Sequence, residues 1–83
     1  MVSAELVHAG FGNYVATGRI VAIVETGSAP IDRLVRAAKS AGRVIDMTAG
    51  RRTKAVLFTD SGWVLLSAIK PETLASREGG RDD

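Results

Sequence analysis

Gly50-Arg51-Arg52-Thr53-Lys54 packs three cations into four consecutive positions. Neighbouring guanidinium groups suit bidentate contacts to phosphate oxygens, and the lysine adds a mobile point charge beside them. Holding these charges together costs self-repulsion, so the stretch is either a well-solvated turn or a surface that meets an anion. Further cations precede it. From Arg33 to Lys54 the chain carries Arg33, Arg36, Lys39, Arg43, Arg51, Arg52 and Lys54 against the single acid Asp46. Arg19 opens an apolar run and needs an outlet to water or an anion. From Pro71 onward the balance reverses, with Glu72, Glu78, Asp82 and Asp83 outnumbering Arg77 and Arg81. A basic middle and an acidic end predict one cationic surface and a separate solubilising segment. For Arg33 and Arg36, a plain solvated helix face explains the charge as well as a binding role does.

Other chemistries find little support. Without cysteine there is no disulfide, thiolate metal site or cysteine nucleophile, which fits a reducing compartment. The single histidine, His8, has only Glu5 as a nearby partner in sequence, so neither catalysis nor metal binding is expected, and no cofactor is implied. Gly10-Phe11-Gly12-Asn13 has the look of an anion-cradling loop, but no helix follows, a third glycine is missing and there is no P-loop lysine. It reads mainly as a tight turn in which the glycines supply positive φ and Asn13 tolerates the left-handed region. The N-terminal Met1-Val2-Ser3-Ala4-Glu5 lacks the features of a signal peptide. The apolar run around Ile20 to Val24 is far short of the roughly 20 residues of a membrane span. A cytoplasmic protein is expected.

These residues need elements to hold them. The chain's 83 residues suit one small domain, and 46% apolar content is ordinary for a folded protein. Glu5 to His8 predicts a short first strand, followed by the glycine turn and a strand at Tyr14–Thr17. Arg19 to Glu25 is the strongest β signal, with Ile20, Ala22 and Val24 on one face and Val21 and Ile23 on the other. Gly18 predicts a break or bulge ahead of it. Ser28 is the expected N-cap of a helix over 31–41, with Pro30 in its first turn, Asp32 at its positive end and Gly42 as the left-handed stop. Ile31, Leu34, Val35 and Ala38 form its apolar stripe. Val44–Met47 and Ala55–Thr59 read as strands joined by the basic turn, Asp60-Ser61-Gly62 as a hairpin loop, and Trp63–Ile69 as a further strand. Glu72-Thr73-Leu74-Ala75 can start a short helix. Residues 1–75 form the expected domain, and 76–83 a charged, disordered tail.

The expected fold class is α+β, in the order β-β-β-α-β-β-β. It has a small antiparallel-dominated sheet of five to six strands and one main amphipathic helix. One helix covers only part of one sheet face, yet the strands at 19–25 and 63–69 are apolar on both sides. An uncovered apolar face is an interface, so the composition predicts an obligate homo-oligomer. Trp63 and Phe58 sit in apolar strands and read as core or interface packing rather than base-stacking platforms. Tyr14, beside the glycine turn, is placed to line a subunit interface.

Gly10-Phe11-Gly12-Asn13, Arg19, Ser28-Ala29-Pro30-Ile31 with Arg33, Asp46 followed by Gly50-Arg51-Arg52-Thr53, and Ser67-Ala68 followed by Pro71-Glu72-Thr73 occur in one order across residues 4–75. Together they resemble the RemA family of bacterial regulators of extracellular-matrix (biofilm) genes. The resemblance implies a transcriptional regulator built as a ring of seven or eight identical subunits, with double-stranded DNA along the ring's basic outer surface. It implies DNA contacts at Arg19, Arg51 and Arg52, and a role in assembly for Pro30. The chain departs from the family pattern at Asp32, where the family carries a basic residue, and has Lys54 where the family form ends in arginine.

The residues alone reach part of this. Candidate DNA contacts are Arg19, Arg51, Arg52 and Lys54, with Arg33 and Arg36 from the helix; Pro30, Tyr14 and Trp63 are the candidate assembly residues. No helix-turn-helix partner precedes the helix, so readout is expected through phosphates, shape and minor-groove arginines. Repetition around a ring would supply avidity, and the protein would work in the cytoplasm on the nucleoid. The alternatives are an RNA-binding protein, against which no pair of aromatics sits exposed on adjacent strands, and an oligomeric adaptor that binds no nucleic acid.

Overall fold

Strands β5 (Ala55–Thr59) and β6 (Val64–Ser67) hold the longest runs of buried residues, and the fold is arranged to cover them on both sides. The computed structural model describes residues 5–78. β1 (Leu6–His8) and β2 (Tyr14–Ala16) form a separate two-stranded hairpin, and a 3-10 turn over Thr17–Arg19 leads into β3 (Ile20–Glu25). Helix α1 (Ala29–Ser40) follows, then β4 (Val44–Asp46), β5, β6 and α2 (Pro71–Glu78). The main sheet has the order β3-β5-β6-β4, with β3, β5 and β6 antiparallel in turn and β4 parallel to β6. The α+β class and the element order agree with the sequence expectation. The break around Gly18 is the 3-10 turn, and a bulge places Val21 between the pairs Ile20–Thr59 and Ala22–Phe58.

α1 is a crossover between the two parallel edge strands, β3 and β4, and lies across one face. Ser28 caps it, its Oγ accepting from Ile31 N at 3.3 Å. Gly42 ends it in the left-handed region (φ 71°), with Arg43 N donating back to Ala38 O at 2.9 Å. Ile31, Val35 and Ala38 pack on Val56, Val64 and Leu66. Leu34, expected in that stripe, is 53% exposed instead. It lies about 60° round the helix from Ile31, far enough for the sheet to miss it.

The other face corrects the argument for an uncovered surface. Val7, Ala9 and Val15 of the hairpin region, together with Leu74 of α2, bury Ala55, Leu57 and Leu65. Ser67, wholly buried, ties the layers: its Oγ donates to Ala9 O at 2.9 Å and accepts from Ile69 N at 3.1 Å. The strand read at 63–69 is therefore covered on both sides within one chain, and it does not require a second copy. What stays open among the described residues includes both sheet edges, β3 with Val21 69% exposed and β4 with Ile45 47% exposed, together with Leu6 and Tyr14 on the outer face of the hairpin. α2 runs through Ser76, Arg77 and Glu78, which the sequence reading assigned to the tail; residues 79–83 lie outside the described range.

A second correction bears directly on the basic stretch. β4 and β5 are not neighbours, because β6 lies between them. The segment joining them is no hairpin turn. It must bridge roughly 10 Å, two strand spacings, across the end of β6. A loop laid across a sheet end presents its side chains more broadly than a tight reversal does.

Two substitutions test this layering in denaturant unfolding. Leu57→Ala, which empties a fully buried position, is expected to cost about 2–5 kcal/mol. Ser67→Ala, which strips the partner from the buried Ala9 carbonyl, is expected to cost about 1–3 kcal/mol. A Ser67→Ala protein as stable as wild type would show that the hairpin is held by packing alone.

Candidate nucleic-acid interface

The loop over residues 47–54 is fixed before it presents its charges. Met47 N donates to Leu66 O at 2.8 Å, and Lys54 N donates to Ser67 O at 2.8 Å, so both ends are tied to β6. Between them the Asp46 carboxylate Oδ1 accepts from Thr48 N at 2.9 Å and from Thr48 Oγ1 at 2.6 Å. Arg51 N closes a turn on Thr48 O at 3.0 Å, with Ala49 and Gly50 both at positive φ. Arg51, Arg52 and Lys54 then point into solvent, and among the described residues none of them forms an ion pair.

Neighbouring elements extend the positive surface. One open cleft of about 300 Å³ has Glu25, Thr26, Arg52, Lys54, Lys70 and Glu72 in its walls. A second, of about 340 Å³, shares Thr26 and Thr53 with it and brings in Asp32, Arg36 and Lys39 from α1. Arg36 thus joins the basic loop, whereas Arg33 lies exposed on the helix and lines neither cleft. Lys39 and Lys70 were not singled out from sequence. The signal for Lys39 was its i+3 spacing from Arg36; for Lys70 it was its place at the end of β6, the strand the loop crosses.

Arg19 is elsewhere. β3 runs from Ile20, paired with Thr59, to Glu25, paired with Ala55, a length of roughly 16 Å. Arg19 lies at the Thr59 end and the basic loop at the Ala55 end, so a single chain does not bring Arg19 together with Arg51 and Arg52. Arg19 Nε also donates to both carboxylate oxygens of Asp60, at 2.8 and 3.0 Å. The two side chains are 60% and 50% exposed, so the pair adds little stability, but it offsets the charge Arg19 would offer an anion.

The assembly candidates differ in their surroundings. Pro30 is exposed in the first turn of α1. Tyr14 is 61% exposed, its ring 5.0 Å from that of His8. Trp63 is half-buried against the core beneath the hairpin, and the Arg43 guanidinium lies 5.2 Å from its ring, so part of its surface is already used within the chain. Among the described residues no three His, Asp or Glu side chains gather as a metal site, and no helix is long and apolar enough to cross a membrane.

The described residues thus form a small α+β domain that presents a hydrogen-bonded basic crossover loop at one end of its main sheet. The chain matches the RemA-like family, described as Extracellular matrix regulatory protein A-like, over residues 6–77, and it belongs to that family. Among its relatives, a protein of Synechococcus sp. (strain JA-2-3B'a(2-13)) named "Putative regulatory protein" is 57% identical over 92% of this chain and 85% of that one. One of the same name from Halothermothrix orenii is 51% identical over 98% of this chain and 96% of that one. The protein is a regulator by family.

Asp46 gives the loop a pH limit. The Thr48 hydroxyl, then the Thr48 amide, lower its carboxyl below the usual 3.8; some burial opposes them and the charge of Lys39 assists. A carboxyl lowered on folding contributes fully above its ordinary value, and the contribution is lost as pH falls through the lower folded value. Hydrogen exchange at the Thr48 and Arg51 amides, measured against the intrinsic rate at each pH, should therefore be slowed at neutral pH and lose that protection in acid below about pH 4. Asp46→Ala should quicken it at neutral pH by roughly three- to tenfold, the equivalent of one hydrogen bond. Unchanged exchange in the variant would remove Asp46 as the loop's anchor.

Proposed function

We propose that this regulator binds double-stranded DNA, by contact and not by catalysis, as a ring of identical subunits in the cytoplasm. The observation that carries the reading is the anchored crossover loop with Arg51, Arg52 and Lys54 exposed and without acidic partners among the described residues. Guanidinium pairs on a pre-fixed loop suit phosphate oxygens, because little ordering remains to be done on binding. Arg36, Lys39 and Lys70 extend the track beside the loop. A strand or sheet edge reading base edges in the major groove finds no support. Phosphate and minor-groove contacts with shape readout fit the residues present.

Assembly supplies what one copy lacks. A chain with two or three phosphate contacts binds weakly, and repetition multiplies them through effective concentration. Arg19 and the basic loop lie at opposite ends of β3. Copies stacked head to tail would place the Arg19 end of one beside the Arg51 and Arg52 end of the next, the heterologous contact from which rings close. The exposed β3 edge and the outer face of the hairpin, with Leu6 and Tyr14, are among the apolar surfaces open to such a contact. For Arg19 to reach a phosphate, the phosphate must displace Asp60.

Duplex DNA and single-stranded RNA, titrated over a salt series against wild type and Arg51→Ala/Arg52→Ala, test the reading. Duplex binding should weaken with salt at a slope of roughly 0.9 per phosphate contact, and the double variant should bind less with a shallower slope. Preference for RNA would move the partner to that class. A flat slope would sink the DNA reading in favour of an adaptor, and a double variant that binds like wild type would remove Arg51 and Arg52 as the contacts. Light scattering checks the ring separately. The expected mass is a multiple of 8.7 kDa, and a species at 8.7 kDa would rule the ring out.

A further inference from the structure

Among the described residues, two that are not glycine adopt positive φ, Phe11 at 54° and Ala49 at 53°. They fall in two loops that touch, the β1–β2 turn and the basic crossover, and Arg51 lies where the loops meet. Its Cζ is 4.9 Å from the centre of the Phe11 ring. For a bulky residue this backbone region is strained, and strain is retained where the surroundings over-determine it.

The surroundings do so here. Asn13 Nδ2 donates to Gly10 O at 2.8 Å, to Phe11 O at 3.3 Å and, across the loops, to Met47 O at 3.3 Å. Ala9 N donates to Asn13 O at 2.8 Å and closes the turn. Phe11 is only half-buried, at 47% exposed, and stands apart from both core clusters. Gly12 beside it meets nothing within 4 Å of where a Cβ would stand, so the turn is open on that side. A glycine at position 11 would make the same turn without strain. The backbone of the turn therefore does not require the ring.

We propose that Phe11 is a positioning residue for Arg51: its ring is a platform that holds the guanidinium outward for an anionic backbone. This rests on the reading of the basic loop as a DNA contact. A free arginine surrenders much rotamer freedom when it grips a phosphate, and a cation–π seat removes part of that loss beforehand. The ring takes one face of the guanidinium and leaves its N–H edge free for phosphate oxygens.

The test compares full-length wild type, Phe11→Gly, Phe11→Tyr, Arg51→Ala and Phe11→Gly/Arg51→Ala in thermal unfolding and in binding to a labelled duplex over a salt series. Phe11→Gly relieves the positive φ, so its unfolding midpoint should equal or exceed that of wild type. Its DNA affinity should nonetheless fall, by about two- to fivefold for each engaged subunit, the factor of an exposed cation–π contact. Phe11→Tyr, which keeps an aromatic face, should bind like wild type. In the Arg51→Ala background, Phe11→Gly should cost nothing further, because the seat has lost its occupant. Phe11→Gly binding as tightly as wild type, while Arg51→Ala binds weakly, would overturn the role of Phe11 and leave the DNA reading intact. Equal further losses in both backgrounds would make Phe11 an independent contact and overturn the proposal. Arg51→Ala binding as tightly as wild type would overturn the proposal together with the DNA contact at Arg51 on which it rests.

Discussion

The constraint behind this structure is that β5 and β6 are apolar on both faces. Val56, Val64 and Leu66 point one way, and Ala55, Leu57 and Leu65 the other, and each set must be taken out of water. A chain of 83 residues has few elements to spend on the task. It lays α1 over one face and assembles the second cover from a three-residue-per-strand hairpin and an eight-residue helix. Neither of those pieces has a core of its own, so each is stable only against the sheet. Ser67 secures the arrangement at its centre, because a fully buried hydroxyl there satisfies a hairpin carbonyl and a backbone amide at once.

Covering both faces fixes where the charges go. With α1 crossing from β3 to β4 at opposite edges, the chain must return past β6 to reach β5. That return is the basic loop. It lies at a sheet end, away from both apolar layers, where desolvation costs Arg51 and Arg52 nothing. The same topology puts Arg19 at the far end of β3, against Asp60. A single copy is therefore a polar object with a free basic end and a neutralised one.

Much of this was legible in the sequence. Period-two apolar runs marked the strands, and Ser28, Pro30 and Gly42 marked both ends of α1, because capping chemistry is local. The basic loop stood out because turns seldom carry three cations. Strand order was not legible: the segments 44–47 and 55–59 look like a hairpin, and only the tertiary preference of β4 for the edge beside β6 separates them. The cover for 63–69 was missed for a related reason. Leu6–His8 and Leu74 are too short as signals to announce a layer, and their burial depends on contacts distant in sequence. In the turn at 10–13 the glycines were expected at positive φ, with Asn13 tolerating the left-handed region, and Gly10 and Gly12 do take it. The structure gives it to Phe11 between them as well and uses the Asn13 amide as the clamp.

Phe11 shows where the chain accepts local cost. Turn chemistry alone would put glycine or asparagine at position 11 and at position 49, and the chain has phenylalanine and alanine there. Violations of local preference concentrate at working surfaces, because elsewhere each one simply lowers stability. Both violations here border Arg51, and the hydrogen bonds that enforce them come from the polar residues Asn13, Asp46 and Thr48. A solvated turn has no need of such fixing, since hydrated arginines gain from their freedom. A loop that must meet a partner in one geometry does need it, and on the proposed reading the rigidity of residues 47–54 is what separates a binding surface from a merely basic one.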